Sequence, residues 1–265
     1  NLKGKRNVFG NRHLQCYSAM VAPHSCTAAS LLNQKRKETF SKWCLPTTLF
    51  TGTPFEGCNF LFGNAVMEIY LIRHTTPDIV KGTCYGQSDI GTTDSFVAEA
   101  ACIKKHVPPQ VQTVYSSPLR RCRQLATYLF GHQPILFDDR LMEIHCGHWE
   151  GQLWDDIEKS HLQHWMRDRL NQCMPGGESY VQLYGRVRHF FDSMPTHHSI
   201  AIVSHGGVIR SLLSYINNVS LQDSFDTFAI RYGCVIKVEA HADGWRQHVL
   251  HNPPSEKEQH RPSYY

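Results

Sequence analysis

The stretch Met67-Glu68-Ile69-Tyr70-Leu71-Ile72-Arg73-His74-Thr75-Thr76-Pro77 is an apolar run that ends in two basic side chains and a proline. A short run of β-branched and aromatic residues reads as a buried strand, and Thr-Thr-Pro turns it into a loop. Arg73 and His74 then stand at the strand's C-terminal end. In an open parallel α/β sheet, ligands bind in the crevice outside that edge. Taken alone, an Arg-His pair there is more often a solvated loop start than a site, so the rest of the chain must decide.

Downstream, strand and helix signals alternate, which predicts a mostly parallel sheet with helices on its faces. Helices are expected over Asp94–Lys105, Leu119–Phe130, Leu153–Arg169, Ser179–Met194 and Gly207–Ile216. Strands are expected over Val111–Tyr115, Ile135–Phe137, Ser199–Val203, Phe228–Glu239 and Trp245–Leu250, the last two joined as a hairpin around Asp243-Gly244.

The 265 residues carry a net charge of +4. Residues 1–66 hold eight Lys or Arg against Glu38 and Glu56, a balance of +6, which leaves −2 for residues 67–265. The basic excess belongs to the leader, so the chain as a whole does not read as a nucleic-acid binder. Residues 1–66 lack sustained periodicity and read as a leader rather than a domain. They fit a transit segment, a nucleic-acid-binding arm or translated upstream sequence before Met67. Residues 67–252 form the expected catalytic domain, and residues 253–265 a polar tail. Ten cysteines without a CxxC pair argue against a structural zinc site, and a chain this long needs no disulfide framework. No run of eighteen apolar residues suggests a membrane span, and the cytoplasm is the expected compartment.

Three strand ends carry ionisable groups: Arg73-His74, then Ser116-Ser117-Pro118-Leu119-Arg120-Arg121, then Ser204-His205-Gly206-Gly207. Parallel strands would bring them to one edge. Two histidines and at least two arginines in one pocket are costly unless an anion lies among them, and guanidinium groups match phosphate oxygens. A fourth element, Leu141–Gly151, holds Glu143 beside apolar neighbours; position alone favours a surface carboxylate, but in a partly buried place a carboxyl is harder to ionise and can donate a proton. His145, Cys146 and His148 are spaced tightly and lack a second ligand pair, so no metal is expected.

These four ordered motifs resemble the histidine phosphatase superfamily, also called phosphoglycerate mutase-like, over roughly residues 67–240. The resemblance implies a three-layer α/β/α sandwich and metal-independent hydrolysis of a small phosphate ester through a phosphohistidine, with no cofactor. It implies His74 as nucleophile and Glu143 as acid, with Arg73, Arg121 and protonated His205 on the phosphate. It selects Arg121 over Arg120. The chain departs from the family at Thr75, where most members have Gly, and at Val80, often Asn. It departs again at Asp89-Ile90-Gly91-Thr92-Thr93, where Asp-x-Pro-Leu-Thr is common. Gln87 and Ser88 are candidate replacements for the phosphate contacts of that loop.

Arg-His-Thr-x-Pro followed by Cys84-Tyr85-Gly86-Gln87-Ser88-Asp89 is similar to bacterial α-ribazole phosphatases, which act in assembly of the cobalamin nucleotide loop. That likeness implies α-ribazole 5′-phosphate as substrate. A mutase is the nearest rival, but only 83 residues separate Arg121 from His205, which favours the compact phosphatase type. A broad-specificity phosphatase, a sugar bisphosphatase and a non-catalytic phospho-ligand module remain alternatives. The oligomeric state is not legible.

Overall fold

A computed structural model describes residues 67–195 and 199–254. The leader over 1–66 and all but the first two residues of the expected polar tail lie outside these. In chain order the described elements are β1 (Met67–Arg73), α1 (Phe96–Lys104), β2 (Thr113–Ser116), α2 (Arg120–Phe130), β3 (Ile135–Phe137), α3 (Lys159–Arg167), α4 (Tyr180–Ser193), β4 (Ser199–Ser204), α5 (Gly206–Asn217), α6 (Ser224–Thr227), β5 (Val235–His241) and β6 (Gly244–His251). Two short 3-10 turns, Asp139–Leu141 and Gly147–Trp149, lie between β3 and α3.

The strands form one six-stranded sheet in the order β3-β2-β4-β1-β5-β6. β1, β2, β3 and β4 run parallel, β5 runs antiparallel to β1, and β6 antiparallel to β5. The sheet is mixed α/β and mostly parallel, as expected from the alternating pattern. Side chains of a strand alternate between its two faces, and here both faces are covered. Ile69, Leu71, Ile200 and Ile202 pack in one core with Leu183, Val187 and Phe190 of α4 and Leu212 of α5. Tyr70, Ile72, Ala201 and Val203 pack in the other with Ala100 and Ile103 of α1 and Leu125 and Leu129 of α2. This double covering makes the central strands near-continuous apolar runs in the sequence.

Most expected elements appear within a few residues of their predicted bounds, and two differ. The helix expected over Leu153–Arg169 forms only over Lys159–Arg167. Its first part is taken by tertiary bonds instead: Trp154 N–H donates to Gly82 O at 2.8 Å, and Leu153 bridges Thr83. The strand expected from Phe228 begins only at Val235. A turn from Arg231 to Cys234, with Gly233 at φ 71°, breaks the earlier part. α4 starts where its capping box dictates: Ser179 accepts from Gln182 N–H, and the Gln182 side chain accepts from Ser179 N–H.

The register sets the C-terminal ends of β1, β4 and β2 side by side. Arg73 pairs with Ser204, Ser116 pairs with Val203, and His74 N–H donates to Ser204 O at 3.0 Å. α2 and α5 leave from this same edge.

Candidate active site

The sheet edge brings the three ionisable strand ends together. The rings of His74 and His205 lie 5.1 Å apart between centroids, at 62°. His74 is buried, and its Nδ1 lies 2.7 Å from the carbonyl oxygen of Thr75. A carbonyl only accepts, so Nδ1 carries the proton and Nε2 keeps its lone pair.

Arg73 Nη1 donates to Ile230 O at 2.6 Å, and its guanidinium carbon sits 4.0 Å from the centre of the Tyr232 ring. Gly206 allows this approach, since a Cβ there would lie 3.3 Å from Cζ of Arg73. Arg121 is fully buried and donates to Ser88 O at 2.8 Å through Nη1 and to Gly86 O at 2.7 Å through Nη2. Its Nε–H is a buried donor with no partner. An orphaned cationic donor in such a place is costly, and an anion would satisfy it. Arg120 is exposed. The structure thus brings in Arg121, the arginine that the motif selects.

Glu143 reaches the same place from the loop after β3. Its Oε1 accepts from Ile144 N–H at 2.9 Å and its Oε2 from Gly207 N–H at 3.1 Å, at the first turn of α5. Both donors are main-chain N–H groups, one of them in the first turn of a twelve-residue helix, and they fix the direction of the carboxyl group. A Cβ at Gly207 would overlap Oε1 of Glu143, which explains the glycine.

His205 is fully buried, with Nε2 2.8 Å from Ser117 Oγ and 3.4 Å from Cys122 Sγ. Ser117 Oγ accepts from Leu119 N–H, so its own proton can go to Nε2, which leaves the His205 proton on Nδ1. Burial, then the charge of Arg121, the neighbouring His74 whenever it is protonated, and the charge of Arg73 push His205 well below the ordinary histidine range. These effects favour the neutral imidazole, whereas the role expected from the sequence needs the imidazolium. A dianion seated between Arg73 and Arg121 would oppose their charge effects and favour the protonated form. The Cys122 thiol is pushed up to about 12 by its burial and stays protonated.

The structure also gathers residues that sequence reasoning missed. Glu150 takes Gln87 N–H at 2.8 Å, Ser88 N–H at 2.7 Å, the Ser88 hydroxyl and Cys146 N–H at 3.1 Å. Burial alone would raise its pKa, but these hydrogen bonds outweigh it and hold the carboxyl below the usual range. Gln87 Nε2 donates to Glu143 O at 3.1 Å. Gln87 and Ser88, the candidate phosphate contacts, donate to Glu150 and to the carbonyl of Glu143 and so brace the loop that Arg121 binds. Glu150 lies within the motif that identifies Glu143, and its Trp-Glu-Gly setting was the available signal. Arg186 of α4 donates to the carbonyls of Arg140, Met142 and Glu143 and pairs with Glu178; nothing in its local sequence marks it.

Among the described residues, no three His, Cys, Asp or Glu side chains are grouped to hold a metal ion. No helix among them is long and apolar enough to cross a membrane.

A model of the histidine phosphatase superfamily, branch 1, matches residues 69–253. The chain belongs to this superfamily and is a phosphatase. Phosphoserine phosphatase 1 of Hydrogenobacter thermophilus is 26% identical over 166 residues, covering 59% of this chain and 79% of that protein. Glucosyl-3-phosphoglycerate phosphatase of Mycolicibacterium vanbaalenii is 27% identical over 166 residues, covering 56% and 72%. The crystal structure of the α-ribazole phosphatase from Shigella flexneri superposes with a TM-score of 0.63 at 21% identity, covering 69% of this chain and 96% of that one. At that identity the last match speaks for the phosphoglycerate mutase-like fold alone.

Proposed function

We propose that the protein hydrolyses a small phosphate monoester through a phosphohistidine on His74, and that the ester is α-ribazole 5′-phosphate. The observation that carries the reaction is the convergence of His74, His205, Arg73, Arg121 and Glu143 at one sheet edge, with the Nε–H of Arg121 buried and unsatisfied. His74 Nε2 attacks phosphorus in line, and the ester oxygen leaves. Arg73, Arg121 and His205 hold the equatorial oxygens, so positive charge is fixed where negative charge spreads. Glu143 gives its proton to the departing alkoxide, then takes one from the water that hydrolyses the phosphoenzyme.

The substrate reading rests on likeness, that of Arg73–Pro77 and Cys84–Asp89 to α-ribazole phosphatases. The Shigella structure of that name supports it at the level of fold. A cytoplasmic setting belongs to the same proposal, and the six free cysteines among the described residues support it. Neither nucleic acid nor membrane has a part in the reaction.

The test is phosphate release by the full chain from α-ribazole 5′-phosphate, 3-phosphoglycerate and p-nitrophenyl phosphate, with His74→Ala as control. A kcat/KM for the riboside about a hundredfold above the others, some 2.8 kcal/mol of discrimination, is the expected result. Similar slow rates on all three keep the chemistry and discard the substrate. Interconversion of phosphoglycerates would indicate a mutase, and phosphate binding without His74-dependent release a binding module.

A further inference from the structure

Two tyrosines far apart in sequence connect the arginines of the site. The hydroxyl oxygens of Tyr85 and Tyr232 lie 2.5 Å apart, within hydrogen-bond reach. The Tyr232 ring lies under the Arg73 guanidinium at 4.0 Å, the Tyr85 ring lies 5.3 Å from that of Arg121, and Tyr232 is also 5.4 Å from the His74 ring. The contacts therefore run Arg73, Tyr232, Tyr85, Arg121, with a cation at each end. We propose that Tyr85 and Tyr232 form a positioning pair that sets the spacing of the two guanidiniums for a phosphoryl group.

Two like charges that face one pocket repel each other and would swing apart on flexible side chains. A carboxylate between them would hold them but would also cancel the charge that the phosphate needs. Ring faces and carbonyl oxygens attract a guanidinium without neutralising it. Arg73 is held by the Tyr232 face and Ile230 O, and Arg121 by the Tyr85 ring, Ser88 O and Gly86 O. The hydroxyl bond then locks the two rings together.

The backbone around each tyrosine is fixed. Gly233 N–H donates to His74 O, and Arg73 N–H to Cys234 O, which anchors the Tyr232 segment to the end of β1. Cys84 N–H donates to Gln152 O, and Gly151 N–H to Cys84 O, which anchors the Tyr85 loop. Burial raises the Tyr85 pKa, so its hydroxyl keeps its proton at neutral pH.

The inference rests on the phosphatase reading, and the experiment separates the two. Inorganic phosphate binding by calorimetry and p-nitrophenyl phosphate kinetics are measured on the wild type, Tyr85→Phe, Tyr232→Phe, the double variant and Tyr232→Leu. Each single Phe variant should weaken phosphate binding and raise KM by about threefold to tenfold, the worth of one hydrogen bond, with kcat held within about twofold. The double variant should bind no worse than the weaker single one, because both changes break the same bond. Tyr232→Leu, which also removes the ring face, should lose more. Phe is isosteric with Tyr, and unchanged thermal unfolding of the Phe variants would set misfolding aside.

Losses that multiply in the double variant, unchanged phosphate binding in both singles, or a fall in kcat at constant KM would each overturn the pair while leaving an active wild type intact. A wild type that neither binds phosphate nor shows His74-dependent release would overturn the phosphatase reading, and the pair with it.

Discussion

Nδ1 of His74 bonds the carbonyl oxygen of Thr75, its own neighbour in the chain, at 2.7 Å. The acceptor is main chain, so the replacement of the family's usual Gly by Thr75 leaves this bond in place. It fixes the tautomer and leaves Nε2 as the only ring nitrogen with a lone pair for phosphorus. A phosphoenzyme trapped by rapid quenching should therefore carry phosphate on Nε2 of His74, with none in His74→Ala. Phosphorus and nitrogen NMR of the trapped species makes the assignment. Phosphate on Nδ1, or on His205, would remove the nucleophile role as argued.

Glu143 is held by main-chain donors on both oxygens, one of them from Gly207. Alkoxides are poor leaving groups and depend on its proton, whereas p-nitrophenolate does not. Glu143→Gln should cost about a hundredfold or more in kcat on alkyl phosphates and less than about tenfold on p-nitrophenyl phosphate. Gly207→Ala should show the same contrast more weakly. Its Cβ would overlap Glu143 Oε1 and lie 3.0 Å from Leu183 Cδ2, so the carboxylate must move. Equal losses on both ester types in Glu143→Gln would count against the acid role.

The parts of this protein legible in the sequence are those whose physics is local or periodic. The apolar runs of β1 and β4 and the capped start of α4 announce themselves, and the short ordered motifs place His74, Arg121, Glu143 and His205. What was not legible depends on contacts between distant segments. The region from Leu153 has helical apolar spacing, yet Gly82 and Thr83, about seventy residues earlier, capture its backbone. Arg186 sits on an ordinary amphipathic helix and acts on carbonyls more than forty residues away. The motif found Glu143 but not the neighbouring Glu150, because the role of Glu150 lies in bracing another loop. The protonation of His205 could not be read at all, since it is set by burial and by charged groups brought in from the start of α2 and the end of β1.

That depressed pKa has a definite sign. The unfolded chain binds a proton on His205 below about pH 6.5, and the folded chain does not until lower pH. Stability from this group is therefore complete above that value and is lost progressively as the pH falls from it through the lower folded value. His251, lowered by burial and by His106, acts in the same direction. The lowered carboxylates Asp138, Glu150 and Glu239 add their losses only at more acid pH, from the ordinary carboxylate range downward. Urea unfolding of the wild type should show a decline from pH 7 to pH 5.5 that His205→Gln reduces. Phosphate binding should reverse the effect by stabilising the imidazolium, with net proton uptake near neutrality. Calorimetry in buffers of differing ionisation enthalpy measures that uptake. Proton release, or the same uptake in His205→Gln, would contradict the account.

Arg186 and Glu178 form a pair whose side chains are only 20% and 16% exposed, and the same guanidinium holds the carbonyls of Arg140, Met142 and Glu143. Removing it would leave those carbonyls and a largely buried carboxylate short of partners. Arg186→Met should therefore cost about 2–4 kcal/mol in urea unfolding. Lysine cannot reproduce the forked geometry, so Arg186→Lys should recover little of it. Because the loop that carries Glu143 is the part released, both variants should also lower activity on alkyl esters more than on p-nitrophenyl phosphate. A stability change within about 0.5 kcal/mol, the usual range for surface substitutions, would show that the pair is ornamental. A stability loss with an unchanged alkyl-to-aryl ratio would confine Arg186 to the fold and leave Glu143 positioned by Gly207, Ile144 and Gln87.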